Sequence, residues 1–153
     1  MGRFFAEIMA DDTVQTAKRP WHLWVVGVGS LLWNSVGALD FVMTQTRNPA
    51  YMKAFTPAQL EYYYSFPAWA VATWGIAVWG GVFGSLLLLF RKRQSIPLFL
   101  LSIIGMVLTD VYSFVLTNGL KVMGGAGALM FSSVIFVIGV LLLVYSKFAK
   151  YQR

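Results

Sequence analysis

Cysteine is absent and histidine occurs once, at His22. The first absence excludes disulfides, thiolate metal ligands and a cysteine nucleophile. The second excludes a haem held between two histidines of one chain. Charge is scarce as well: Asp, Glu, Lys and Arg make up 12% of the 153 residues, whereas a soluble domain carries roughly a quarter. With hydrophobic residues at 58%, there is too little polar surface to coat a globule in water. No phosphate-cradling loop is present, because Gly124-Gly125-Ala126-Gly127 is not followed by the Lys-Ser/Thr pair a nucleotide site uses. The 6 acidic residues show no metal-ligand spacing and no pairing with a nucleophile. The sequence therefore offers no catalytic, cofactor-binding or metal-binding residues, and the expectation is a protein that is not an enzyme.

What is there is a set of four long apolar runs, at about 21–44, 67–90, 96–117 and 125–145. Each matches the roughly 20 residues that a hydrocarbon core of about 30 Å demands of a helix. Because backbone groups in lipid must be paired internally, all four are expected to be helices, and the absence of alternation argues against a β-barrel. Pro20, Pro67 and Pro97 fall near the starts, where a missing backbone donor costs nothing. The reading is an all-α integral membrane four-helix bundle over 21–146, preceded by a cytoplasmic or interfacial segment 1–20 and followed by a basic cytoplasmic tail 147–153. In the first segment Arg3 is followed by Glu7, Asp11 and Asp12, which does not fit a secretory signal. Phe4, Phe5, Ile8 and Met9 there fit either one stripe of a short surface helix or a frayed tail.

The net charge of +6 is distributed at the ends of the apolar runs and not along a face, which fits lipid headgroups and excludes nucleic acid as the expected partner. Lys18, Arg19, Arg91, Lys92, Arg93, Lys147, Lys150 and Arg153 flank one side, against Arg47, Lys53 and Lys121 on the other. Eight against three places both termini in the cytoplasm and the 45–66 loop outside. That loop carries two helix-start signals, Asn48-Pro49 and the capping pattern Thr56-Pro57-Ala58-Gln59, so short interfacial helices are expected in it. Tyr62, Tyr63 and Tyr64, with Trp69 beyond, have the composition of an interfacial aromatic anchor.

A charge at bilayer depth costs about 2.5 to 3.5 kcal/mol, so Asp40 and Asp110 each need a reason. At 1.5 Å per residue, Asp40 lies about 28 Å from Trp21, near the outer interface, while Asp110 lies about 21 Å from Ile96, still within hydrocarbon. Asn34 reaches the same depth as Asp110 on a helix running the same way, about 20 Å from Trp21, so a hydrogen bond between the first and third spans is expected. Small and polar residues at helical spacing, Gly27, Ser30, Asn34 and Gly37 on the first span and Ser102, Gly105 and Thr109 on the third, point to the same pairing. The second span offers Ala77, Gly81 and Ser85, plus Gly80-x-x-x-Gly84, for packing within the chain or in a dimer. A short echo, Phe41-Val42-Met43-Thr44 and Phe114-Val115-Leu116-Thr117, is too brief to establish a duplication.

Taken together, Trp33-Asn34-x-x-Gly37-Ala38-x-Asp40, Thr46-Arg47-Asn48, Tyr51, Phe55, Phe66-Pro67-Ala68-Trp69 and Gly80-Gly81-x-x-Gly84-Ser85 with the run to Arg91 resemble a family of small proteobacterial inner-membrane proteins with four predicted spans. The resemblance covers most of the chain from Pro20 to about Tyr145 and is best in the first two spans. It implies the bacterial inner membrane and the four-span architecture, and it supplies no catalytic residues. The "sugar transporter" label that such sequences sometimes carry looks like automated naming and is no evidence of sugar transport. Two functional readings follow: an accessory or assembly subunit acting through lateral helix packing in a homo-oligomer or larger membrane complex, or a small-solute or proton-coupled transporter using Asn34, Asp40 and Asp110.

Overall fold

The computed structural model describes residues 20–149, and among these every regular element is helical. Four helices are long and apolar enough to cross a bilayer. They are α1 (Trp21–Gln45), α4 (Ala68–Leu89), α5 (Ser95–Asp110) with its continuation Val111–Leu116, and α7 (Ala126–Phe148). Three short helices fill the connections: α2 (Pro49–Met52), α3 (Pro57–Tyr64) and α6 (Gly119–Val122). The expected amphipathic stripe in the N-terminal segment and most of the basic tail lie outside the described residues.

Local chemistry explains the boundaries. Pro20 and Pro67 sit as extended N-caps immediately before α1 and α4. The Asn48 side chain accepts hydrogen bonds from the amides of Ala50 and Tyr51 to start α2. Thr56 and Gln59 exchange side chain to backbone bonds of 3.0 and 3.3 Å in the capping box that starts α3. α7 runs three residues past the expected end of the fourth span, to Phe148. Ser146 there is fully buried, and Lys147 in the last turn complements the negative end of the helix.

Helix ends after α1 and α4 share an unusual device. The amides of Arg47 and Asn48 bond back to the carbonyls of Thr44 and Met43, and those of Arg91 and Lys92 to Leu88 and Leu87. Both are Schellman closures, which place the residue after the cap in the left-handed region and normally employ glycine there. Here arginines occupy it, with φ of 52° at Arg47 and 56° at Arg91.

The third span ends in an uncommon geometry: Val111–Leu116 is a π-helix. The wider turn is closed by Thr117, whose hydroxyl donates to the carbonyls of Tyr112 and Ser113 at 3.0 and 3.1 Å. No proline or glycine in 111–116 announces it.

α4 is the hub, packing on both α1 and α5, while α7 rests on α5. This corrects the expected pairing of the first and third spans. Depth along a helix does not fix which neighbour a residue faces, and the glycines of α4 decide it. Gly80 meets the backbone of Leu98 and Ser102, and Gly105 of α5 meets the backbone of Thr73 and Ala77, so α4 and α5 approach at backbone distance. Gly81 and Gly27 seat Asn34 and Leu89 between α1 and α4. At the end where α1 begins, Leu23, Leu88, Phe99 and Leu142, one from each span, form a shared core, and His22 Nδ1 lies 2.7 Å from the Tyr145 hydroxyl.

Candidate functional site

Asn34, Asp40 and Asp110, the three intramembrane candidates, are held by three different partners. Asn34 donates to the Ser30 carbonyl at 2.8 Å and to the Ser85 hydroxyl of α4 at 3.2 Å. Ser85, fully buried, in turn donates to the Gly81 carbonyl at 2.8 Å. This chain of bonds ties α1 to α4, and the expected link from the first span to the third is not made. The α4–α5 contact has its own polar stitching: the Thr73 and Thr109 hydroxyls are 3.0 Å apart, and Ser102 donates to the Ala77 carbonyl at 2.5 Å.

Asp40 near the end of α1 accepts a 2.5 Å hydrogen bond from the Tyr51 hydroxyl of α2. Burial, the hydrogen bond and the neighbouring negative charge of Asp40 together push the Tyr51 phenol up to about 12. Burial, followed by the charge of Asp40, also pushes up the Tyr63 phenol.

Around this pair the first loop folds an aromatic cap over the bundle. Tyr63 stacks on Trp74 of α4 with ring centroids 5.8 Å apart, and Phe41 meets the same indole edge-on at 5.1 Å. Phe66 and Trp69 both pack edge-on against Tyr112 of the π-helix, at 4.9 and 5.2 Å. Of the four residues expected to form an aromatic anchor, Tyr62 is buried and reaches Thr117 at 3.0 Å, and Tyr63 packs inward. Tyr64 and Trp69 are exposed, and the Arg47 guanidinium sits 4.2 Å from the Tyr64 ring centre. Thr44, in the last turn of α1, is buried with a hydroxyl that finds no hydrogen-bond partner among the described residues.

Asp110 differs from the other two. Its carboxylate accepts a 2.5 Å hydrogen bond from Ser132 of α7. Beside it lies an open groove of about 250 Å³ between α5 and α7, lined by Asp110, Phe114, Ser132, Ser133 and Phe136 together with aliphatic side chains. Ser85, Tyr51 and Ser132 are the partners that sequence reasoning missed. Tyr51 follows from the Asn48 cap, which turns α2 back over the end of α1, but Ser132 had no signal beyond its polarity in an apolar helix. Among the described residues no group of three His, Cys, Asp or Glu side chains comes together to hold a metal ion. What the arrangement offers chemically is hydrogen bonding between helices and one carboxylate with an open side.

Comparison of the chain with protein-family models, curated proteins and solved structures finds no match.

Proposed function

We propose that this chain is a non-enzymatic protein of the bacterial inner membrane, with both termini in the cytoplasm, acting as an accessory or assembly subunit through lateral contacts of α7. One observation carries the reading. Only 6% of the most apolar stretch of α7 is buried within the chain, against 28% for α4. The close-approach glycines of α4 and α5 are consumed inside the chain, at Gly80, Gly81, Gly84 and Gly105. The least buried of the four spans is α7, which presents Met130, Phe131, Val134, Val137 and Leu141 outward. Helix association in lipid depends on packing and polar contacts, not on expulsion of water, and the exposed Ser133 on this helix adds a hydroxyl to an otherwise apolar face.

Purification in nanodiscs followed by native mass spectrometry tests it. A stoichiometric oligomer or larger complex, lost on placing Trp at Val134, is the expected result. A bare monomer at every detergent and lipid composition would contradict it.

A second reading, transport of a small solute or protons in an oligomer, is favoured by the open side of Asp110. Under it, Asp110→Asn abolishes uptake into vesicles while the folded protein stays in the membrane; equal uptake by mutant and parent would remove it. The separate bonding of Asn34 and Asp40 leaves Asp110 to carry that role alone.

A further inference from the structure

The groove beside Asp110 has a composition that goes beyond either reading. Asp110 lies about 22 Å along the third span from Ser95, so roughly 8 Å short of the far side of a 30 Å hydrocarbon core. An ionised carboxylate there is costly unless a compensating charge is near. The Ser132 hydroxyl is one neutral donor, and a carboxylate has room for several more.

Within the four spans the described residues supply no such charge at this depth, and Lys121 lies in α6, beyond the end of the third span. No Lys or Arg occurs in α1, α4 or the third span, and the one in α7, Lys147, follows Ser132 by 15 residues, or about 22 Å of helix. A second copy of the same chain brings the same spans and so no cation either. A divalent metal needs more ligands than one carboxylate, and no acidic or histidine cluster is present among the described residues. A small inorganic cation does not leave water for hydrocarbon at an open lateral groove. A cation carried on an apolar tail does.

The lining fits such a group. Phe114 and Phe136 line the groove together with Asp110, and aromatic faces attract ammonium ions, more strongly where water is excluded. Ser132 donates its hydroxyl hydrogen to Asp110, and Ser133 donates its own to the Leu129 carbonyl at 2.7 Å, so both oxygens keep lone pairs for an incoming donor. With the carboxylate, that makes three accepting side chains, the number of N–H donors on a primary ammonium. About 250 Å³ holds an ammonium head and its first carbons but not a whole amphiphile, and the open side lets the tail run into lipid.

We infer that the groove between α5 and α7 at Asp110 binds the primary ammonium head of an amphiphile whose tail lies in the bilayer. Two sources carry this chemistry: the ethanolamine head of a phospholipid, or a free long-chain amine.

The test uses the full chain in phosphatidylcholine nanodiscs with radiolabelled dodecylamine as the probe. Saturable binding of one molecule per chain is expected, displaced by unlabelled dodecylamine and not by dodecanol, which has the same tail without the charge. Asp110→Asn is expected to weaken binding at least tenfold, and Phe136→Ala severalfold. Displacement by phosphatidylethanolamine added to the nanodisc identifies the headgroup as the source, and no displacement identifies the free amine. Equal displacement of the bound amine by dodecanol overturns the inference without any variant. So does a folded Asp110→Asn protein that binds as tightly as its parent.

Discussion

The hydroxyl of Tyr51 lies 2.5 Å from a carboxylate oxygen of Asp40, so the first turn of the loop after α1 is fastened to the helix it has just left. This bond supplies a donor to a charge near the edge of the apolar region and sets the aromatic cap over α4 and the π-helix. The phenol must stay protonated to donate. Its value is raised to about 12 from an ordinary 10. The contribution is therefore complete below pH 10 and is lost as pH climbs through 12. Tyr51→Phe is expected to lower stability by about 1 kcal/mol at pH 7, because the pair is partly exposed and solvent-screened. The gap between parent and mutant should close between pH 10 and 12 in thermal melts in detergent. A gap unchanged at high pH would show that the phenolic proton is not what matters.

Glycines that look alike in the sequence should behave differently. At Gly105 an added methyl group would lie 2.6 Å from the Thr73 carbonyl oxygen and 2.8 Å from the Ala77 amide, backbone atoms of α4 that cannot step aside. Gly105→Ala is expected to cost about 2 kcal/mol or more by forcing α4 and α5 apart. Gly29→Ala, where nothing lies within 4 Å, should be neutral or stabilising by up to about 1 kcal/mol. Melting temperatures of the two variants in one detergent decide the matter; equal losses would mean that α4 and α5 do not touch at Gly105.

Arg47 closes α1 in a left-handed conformation and covers Tyr64. Arg47→Gly relieves the backbone at the cost of the ring contact, and the two terms, each about 1 kcal/mol, nearly cancel. Arg47→Ala keeps the strain and loses the contact. Alanine is thus expected to be less stable than glycine by about 1 kcal/mol, the reverse of the order inside a helix. Finding alanine the more stable of the two would place Arg47 in an ordinary helical turn.

Thr44 is 2% exposed, and its hydroxyl is unsatisfied among the described residues. Thr44→Val keeps the shape and removes a buried polar atom, so it should stabilise the protein by about 1 kcal/mol. A loss of stability would reveal that the hydroxyl has a bonded partner in the working protein.

The four spans were legible because length and continuous apolarity are strong signals: 67–90 was expected where α4 runs Ala68–Leu89, and 96–117 where the third span runs Ser95–Leu116. The loop helices were legible for the same reason at smaller scale, since Asn48 and Thr56 carry their own caps. The partner of Asn34 was not. Its depth can be counted from the sequence, but the direction it faces depends on which helices approach at their glycines, and Gly81 draws it to α4. The π-helix was also hidden, because its closure by Thr117 relies on a hydroxyl that reads as an ordinary polar residue at a span end. Ser132 became a partner of Asp110 only once α7 was laid against α5.

Everything depends on lipid covering the four apolar helices, and the absence of cysteine makes this directly measurable. Single cysteines at Ala54, Asn118, Gln94 and Val134, all exposed in the isolated chain, are treated in intact cells with a maleimide that does not cross membranes. Ala54→Cys and Asn118→Cys are expected to react at once, Gln94→Cys only after the cells are permeabilised, and Val134→Cys not until the membrane is dissolved in denaturing detergent. Reaction of Val134→Cys in intact membranes as fast as Ala54→Cys would mean that water, and not hydrocarbon, bathes α7, and the account would be wrong.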